Sequence, residues 1–303
     1  MSIPVSLWAG HDTTTVAELT ARVEVAAAMG YEAVWVPQTA ALDTLTAIAV
    51  VADRVPGIRL GSSVVPIQGR HPIALALQAL TAADVAGPGR ITLGIGVTHP
   101  PVSEAWFGIP YDRVVQLAAE TLEALDGLLS ESRTCAVEGE QVTARITLGM
   151  QVPPPGLVVA ALGPKMLDLA GRFSDGTVTW MTGPRTIERN VAPRLAAAAA
   201  AAERPAPRIV AGLPVCVTDD VAGARERLSA MMAGPMHMPS YRRMVEAEGI
   251  DDPVDLVLMG DEDQVRARIE GLAEAGATEL LANVVGEPDE RRRTLELLAS
   301  RPR

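Results

Sequence analysis

The stretch Ile3-Pro4-Val5-Ser6-Leu7-Trp8-Ala9-Gly10-His11-Asp12-Thr13 decides the fold class. A short apolar run ends at Trp8 and passes into a polar turn. A helix is expected from Thr15, whose hydroxyl caps it together with Glu18 three residues on. In a doubly wound open sheet this first strand-to-helix turn usually carries a glycine-rich phosphate fingerprint. No GxGxxG stands after Trp8, so the open sheet lacks its usual signature. A closed barrel is the better reading, and it places chemistry where strands end and helices begin.

Working outward, the same alternation repeats to the other terminus. Strands are predicted at Ile3–Trp8, Ala33–Val36, Ile58–Val65, Ile91–Ile95, Leu157–Ala161, Thr177–Met181, Arg208–Val217 and Glu279–Val285. Helical patterns separate them: Thr15–Met29, Leu42–Val55, Pro72–Val85, Asp112–Leu129, Pro164–Phe173, Pro184–Ala202, Ala222–Glu248 (broken at Gly234-Pro235) and Glu262–Ala275, with a last short helix ending at Arg303. Eight apolar strands, each followed by a helix, predict an α/β fold of the (β/α)8, TIM-like barrel type. The rhythm breaks once. Residues 132–155 hold two short β-like pieces and end in Pro153-Pro154-Pro155, an insertion between strands four and five of one domain spanning 1–303.

Composition narrows the partners. The 303 residues carry 26 basic and 37 acidic side chains, a formal charge of −11. That argues against nucleic acid and anionic membranes, which need clustered Lys and Arg. Aromatic residues are only 3%, so the core must be built from Val, Leu, Ile and Ala. Cys135 and Cys216 match no metal or redox spacing, the N-terminus shows no leader, and the Ala196–Ala202 run is too short to span a bilayer. A soluble cytoplasmic protein is expected.

At the predicted strand ends the most legible segment is Ala160-Ala161-Leu162-Gly163-Pro164-Lys165-Met166. Free amides at a helix N-terminus carry partial positive charge, glycine permits close approach, and Lys165 adds a full charge, so a phosphate is the matching ligand. Leu93-Gly94-Ile95-Gly96-Val97 has only two of three fingerprint glycines; close approach of a flat ring to the strand end explains them better. His11 and His99 follow strands directly, whereas His71 opens a helix in a capping position. No HExxH or GxSxG occurs, so neither a metal site nor an elbow-type hydrolase is expected.

Four segments together resemble the luciferase-like monooxygenase superfamily, in its branch of coenzyme F420 (deazaflavin)-dependent oxidoreductases. They are Ala28-Met29-Gly30-Tyr31-Glu32-Ala33-Val34-Trp35-Val36-Pro37; Ile58-Arg59-Leu60-Gly61-Ser62-Ser63-Val64-Val65-Pro66; Gly69-Arg70-His71-Pro72 with Gly89-Arg90-Ile91-Thr92-Leu93-Gly94-Ile95-Gly96; and Ala160 to Met166 with Asp175-Gly176 and Thr179-Trp180-Met181. The resemblance implies a tricyclic ring held at the C-terminal strand ends. It implies a bulge near Ser62, Ser63 and Val64 with a non-prolyl cis peptide. The coenzyme phosphate would sit on the amides of Leu162, Gly163, Lys165 and Met166, beside Pro164. Gly96, Val97 and Thr98 would line the ring edge, with Trp8 and Trp180 as walls. Homodimers through the early helices are also implied.

Where some deazaflavin dehydrogenases carry an ionisable residue after strand two and an acid after strand four, this chain has Gln38 and Val97. His99 and His11 are therefore the candidate acid–base groups, and Arg70, Lys165 and Arg185 the cations available to an anionic coenzyme tail. The leading reading is hydride transfer between F420 and a small organic substrate. An FMN-dependent monooxygenase is the alternative, and a barrel that binds a flavin-like ligand without turnover is the third.

Overall fold

The computed structural model describes residues 3–300. Its first half contains β1 (Val5–Trp8), α1 (Val16–Ala28), β2 (Ala33–Val36), α2 (Thr44–Arg54), β3 (Arg59–Ser62), β4 (Val65–Pro66), α3 (Pro72–Ala86), β5 (Ile91–Gly96), α4 (Val114–Leu128), β6 (Thr134–Glu138) and β7 (Thr143–Thr147). The second half contains β8 (Gly156–Ala160), α5 (Pro164–Phe173), β9 (Gly176–Trp180), α6 (Pro184–Thr186), α7 (Ala192–Ala201), β10 (Arg208–Val217), α8 (Val221–Ala233), α9 (Pro239–Glu248), β11 (Leu258–Gly260), α10 (Glu262–Glu274), β12 (Glu279–Val284) and α11 (Pro288–Ala299).

The sheet closes. Parallel pairing runs β1-β2-β3-β5-β8-β9-β10-β12, and β12 returns to β1 with Val5 opposite Leu280. The expected eight-stranded α/β barrel is therefore the fold. β6 and β7 form an antiparallel hairpin outside the barrel. It is anchored by the Glu120 carboxylate, which accepts from the amides of Gln141 and Val142 at 2.7 Å.

The capping expected at Thr15 and His71 is present. Thr15 and Glu18 complete a capping box on α1, and Asp43 caps α2. His71 caps α3 by accepting from the Ile73 amide, and its Nε2 lies 3.0 Å from the Thr143 carbonyl of the hairpin.

Four expectations need correction. The third strand is split by a cis peptide between Ser63 and Val64, so it ends at Ser62 and resumes as β4. The Pro184–Ala202 helix is interrupted by a π-turn at Ile187–Val191, because Pro193 has no amide hydrogen to continue the regular ladder. β11 was not predicted; it pairs with the end of the long β10, Val215 opposite Leu258. The last helix ends at Ala299, and residues 301–303 lie outside the described residues.

The barrel interior is packed at its N-terminal end. Trp35, Val158, Val178, Val210 and Leu281 point inward from five strands. Gly61 leaves room for the Trp35 ring, since a Cβ there would stand 2.5 Å from it. Below this layer the buried Glu279 carboxylate accepts from Ser6 Oγ at 2.7 Å, Trp35 Nε1 at 2.9 Å and Arg208 Nη2 at 2.8 Å. A plugged floor leaves the opposite end of the barrel open.

Candidate active site

A cavity of about 730 Å³ opens where the strands end. Its walls include Trp8 and His11 after β1, Gln38 after β2, and Ser63 and Val64 at the cis peptide. Gly96, Val97, Thr98 and His99 follow from β5. Leu162, Gly163, Pro164, Lys165 and Met166 come from the β8–α5 turn, and Trp180 from β9. Residues scattered over the whole sequence meet because every barrel strand points the same way.

Of the residues predicted for the site, Ser62 alone is turned away. It is fully buried, and its Oγ donates to the Gly94 carbonyl and accepts the Gly94 amide, each at 2.8 Å. The glycines of β5 are explained by this bulge. A Cβ on Gly94 would stand 1.9 Å from the Ser62 oxygen, and one on Gly96 would stand 3.0 Å from Val64 Cγ2. Gly94 is thus dictated by backbone against backbone rather than by a ring.

Trp8 and Trp180 lie 5.4 Å apart between ring centroids, and Trp8 Nε1 donates to Ser63 Oγ at 3.1 Å. His11 meets the Trp8 ring edge-on at 4.5 Å. The two tryptophans and the Ser63–Val64 peptide therefore bound one slot.

The Gln38 amide is spent on its own loop. Its Nε2 donates to the Thr39 and Leu42 carbonyls, and its Oε1 accepts from the Thr44 amide and Arg70. Arg70 is committed to Asp43, Gln78 and Gln38, and Arg185 does not line the cavity. Arg70 is therefore not free for an anionic ligand, and Arg185 stands outside the cavity. Lys165 is exposed at the start of α5 and makes no ion pair among the described residues.

Tyr111, Ser240, Tyr241, Arg243 and Met244, to which the sequence assigned no chemical role, also face the cavity. Tyr241 arrives on α9, in the excursion between β10 and β11, where no sequence pattern announces a site. His99 Nε2 lies 3.3 Å from Tyr241 Oη, with ring centroids 5.2 Å apart. Burial lowers the His99 pKa and raises that of Tyr241 to about 12, so both are neutral near pH 7. Burial also lowers His11, against the opposing pull of Asp12. Among the described residues no Asp or Glu lines the cavity, although the chain carries 37 of them.

The α5 N-terminus suits an anion. Its N-cap is Gly163, which offers no side-chain cap, and nothing lies within 4 Å of where a Cβ would stand. Thr179 also borders the cavity, and its buried hydroxyl has no hydrogen-bond partner among the described residues. The uncapped amides at the start of α5, with Lys165 beside them, are a donor set suited to an oxyanion.

Fold and pocket together define a (β/α)8 barrel with a cavity at its strand ends, bordered by the uncapped start of α5. The luciferase-like monooxygenase family model matches residues 1–279, and the chain belongs to that family. It is 30% identical to an F420-dependent hydroxymycolic acid dehydrogenase of Mycobacterium tuberculosis, over 77% of this chain and 67% of the relative. It is 29% identical to an F420-dependent glucose-6-phosphate dehydrogenase of Beutenbergia cavernae, over 73% of this chain and 65% of the relative. Its fold is similar to that of the coenzyme F420-dependent tetrahydromethanopterin reductase of Methanopyrus kandleri, with a TM-score of 0.81 and 20% identity, covering 99% and 98% of the two chains.

Proposed function

We propose that this protein is an oxidoreductase moving a hydride between coenzyme F420 and a small organic substrate. The observation that carries the reading is the donor set at α5: uncapped amides and Lys165 at the edge of a cavity walled by Trp8, Trp180, Ser63 and Val64. When bound, the deazaflavin supplies the hydride acceptor or donor. The amides of Leu162, Gly163, Lys165 and Met166 hold its phosphate. Trp8 and Trp180 flank the ring, Ser63 and Val64 support it, and Gly96, Val97 and Thr98 border its edge. Gln38 shapes the wall through its backbone-anchored amide rather than by proton transfer. His99 and His11 are the acid–base candidates, and a neutral imidazole is the form that accepts a proton.

The chain is read as one barrel domain, 1–303, with residues 132–155 inserted. It is read as a cytoplasmic homodimer joined through its early helices; α3 turns Leu77 and Val85, 38% and 45% exposed, away from the core. Among the described residues no helix is long and apolar enough to cross a membrane. Size-exclusion chromatography with light scattering checks the dimer, and Leu77→Glu with Val85→Glu should yield a monomer.

The coenzyme is tested by titrating the purified protein with F420 and with FMN, following fluorescence quenching. Tight binding of F420 is expected. Micromolar affinity for FMN alone would establish the monooxygenase alternative instead.

A further inference from the structure

The His99–Tyr241 contact joins two excursions that the barrel keeps apart in sequence, the loop after β5 and helix α9. Both rings face the cavity. Among the described residues, His99 Nε2 is the hydrogen-bond partner that Tyr241 Oη has. A phenol is a stronger acid than a neutral imidazole N–H, and an imidazole nitrogen is a far stronger base than a phenol oxygen. The favoured bond therefore runs from Tyr241 Oη–H to an unprotonated Nε2. That leaves the phenolic lone pairs with no protein donor and open to the cavity.

We infer that Tyr241 stands between His99 and the substrate, its oxygen meeting a substrate hydroxyl or carbonyl while its proton is shared with His99 Nε2. The inference rests on the hydride-transfer reading above and assigns the reacting group to the alcohol–carbonyl pair. In the oxidation direction, the carbinol O–H proton passes to Tyr241 Oη as the Tyr241 proton passes to Nε2, giving an imidazolium. The oxidised deazaflavin would supply the acceptor for the hydride, the electron pair of the carbinol C–H bond, as the C–O bond becomes double. Charge and hydrogens balance, and reduction is the reverse. Tyr241 is never ionised, in keeping with the upward shift that burial gives it. The other titratable groups facing this cavity are His11, Tyr111, Lys165 and Arg243. None is a carboxylate, so no anion in the cavity holds the imidazole charged before a proton arrives.

The test uses the full chain with isotope-labelled histidine, with and without F420, read by nitrogen NMR. Cyclohexanol is the probe alcohol and methylcyclohexane its matched hydrocarbon. The expected His99 carries its proton on Nδ1, with an unprotonated, hydrogen-bonded Nε2. Tyr241→Phe should remove that hydrogen-bond shift while circular dichroism stays unchanged. Cyclohexanol should move the Nε2 resonance in the wild type and not in Tyr241→Phe, and methylcyclohexane should move it in neither. A proton on Nε2, an Nε2 indifferent to Tyr241→Phe, or equal responses to alcohol and hydrocarbon would overturn the relay. Should Tyr241→Phe not fold, fluorotyrosine incorporated into the wild type acidifies the phenol and must enlarge the Nε2 shift; no change overturns the relay equally. Absence of F420 quenching in the same samples overturns the coenzyme reading instead, and the tautomer measured without coenzyme still decides the relay.

Discussion

Ser62 and Gly94 are locked together by one hydroxyl: Ser62 Oγ donates to the Gly94 carbonyl and accepts its amide, each at 2.8 Å. This pair carries the bulge that leads into the Ser63–Val64 cis peptide at the cavity wall. Ser62→Ala leaves two buried backbone groups unpaired and should cost about 2 kcal/mol. Gly94→Ala must push a Cβ into the Ser62 carbonyl and should cost at least as much, about 3 kcal/mol. Urea unfolding followed by circular dichroism measures both, and wild-type midpoints would refute the argument.

The opposite end of the barrel gives a contrasting expectation. Glu279→Ala strands the Trp35 indole in the floor and takes one acceptor each from Ser6 and Arg208, a loss of about 3 kcal/mol. Because the floor lies away from the strand ends, coenzyme affinity of the folded fraction should be unchanged. A large affinity loss would show that floor and cavity are coupled.

Removing the anion cradle should do the reverse. Lys165→Ala with Gly163→Trp deletes a charge and fills the open approach to α5, so affinity for F420 should fall about a hundredfold. Thermal stability should stay within about 0.5 kcal/mol of wild type, since Lys165 is exposed and nothing lies within 4 Å of where a Gly163 Cβ would stand. Fluorescence titration reads the first and denaturation the second.

Burial holds His99 and His11 below their ordinary value of 6.5. The unfolded chain therefore binds more protons, so the stability tied to the neutral rings is complete above the unfolded value. It is lost as the pH falls below about 6.5 toward the lowered folded value. Urea midpoints measured from pH 7.5 to 5.5 should drop, and drop less in His99→Gln. Identical slopes would remove His99 from the account.

Trp8 and Trp180 bound the slot, whereas Trp35 is buried in the floor and Trp106 is 60% exposed. Coenzyme binding should quench intrinsic tryptophan emission. Trp8→Phe with Trp180→Phe should lose most of that quenching; retention of the full signal would place the ring elsewhere.

Periodicity made the barrel legible. Alternating strand and helix patterns, capping boxes and the Gly163-Pro164 turn are local features, decided by residues a few positions apart. The sequence therefore named the barrel, its eight strands, the inserted hairpin, and nearly all of the predicted cavity wall, from Trp8 to Trp180. Which side chains within that wall remain free is a different matter, because it depends on partners far along the chain. Gln38 and Arg70 looked available and are occupied by Thr44 and Asp43. Ser62 looked like a cavity residue and is bound to Gly94, 32 positions away. Thr179 drew notice only as part of a strand-end segment, yet its buried hydroxyl is left without a partner. Tyr241 meets His99 across 142 positions. Hydrogen-bond saturation and close contact are set by three-dimensional closure of the sheet, and only the tertiary structure decides them.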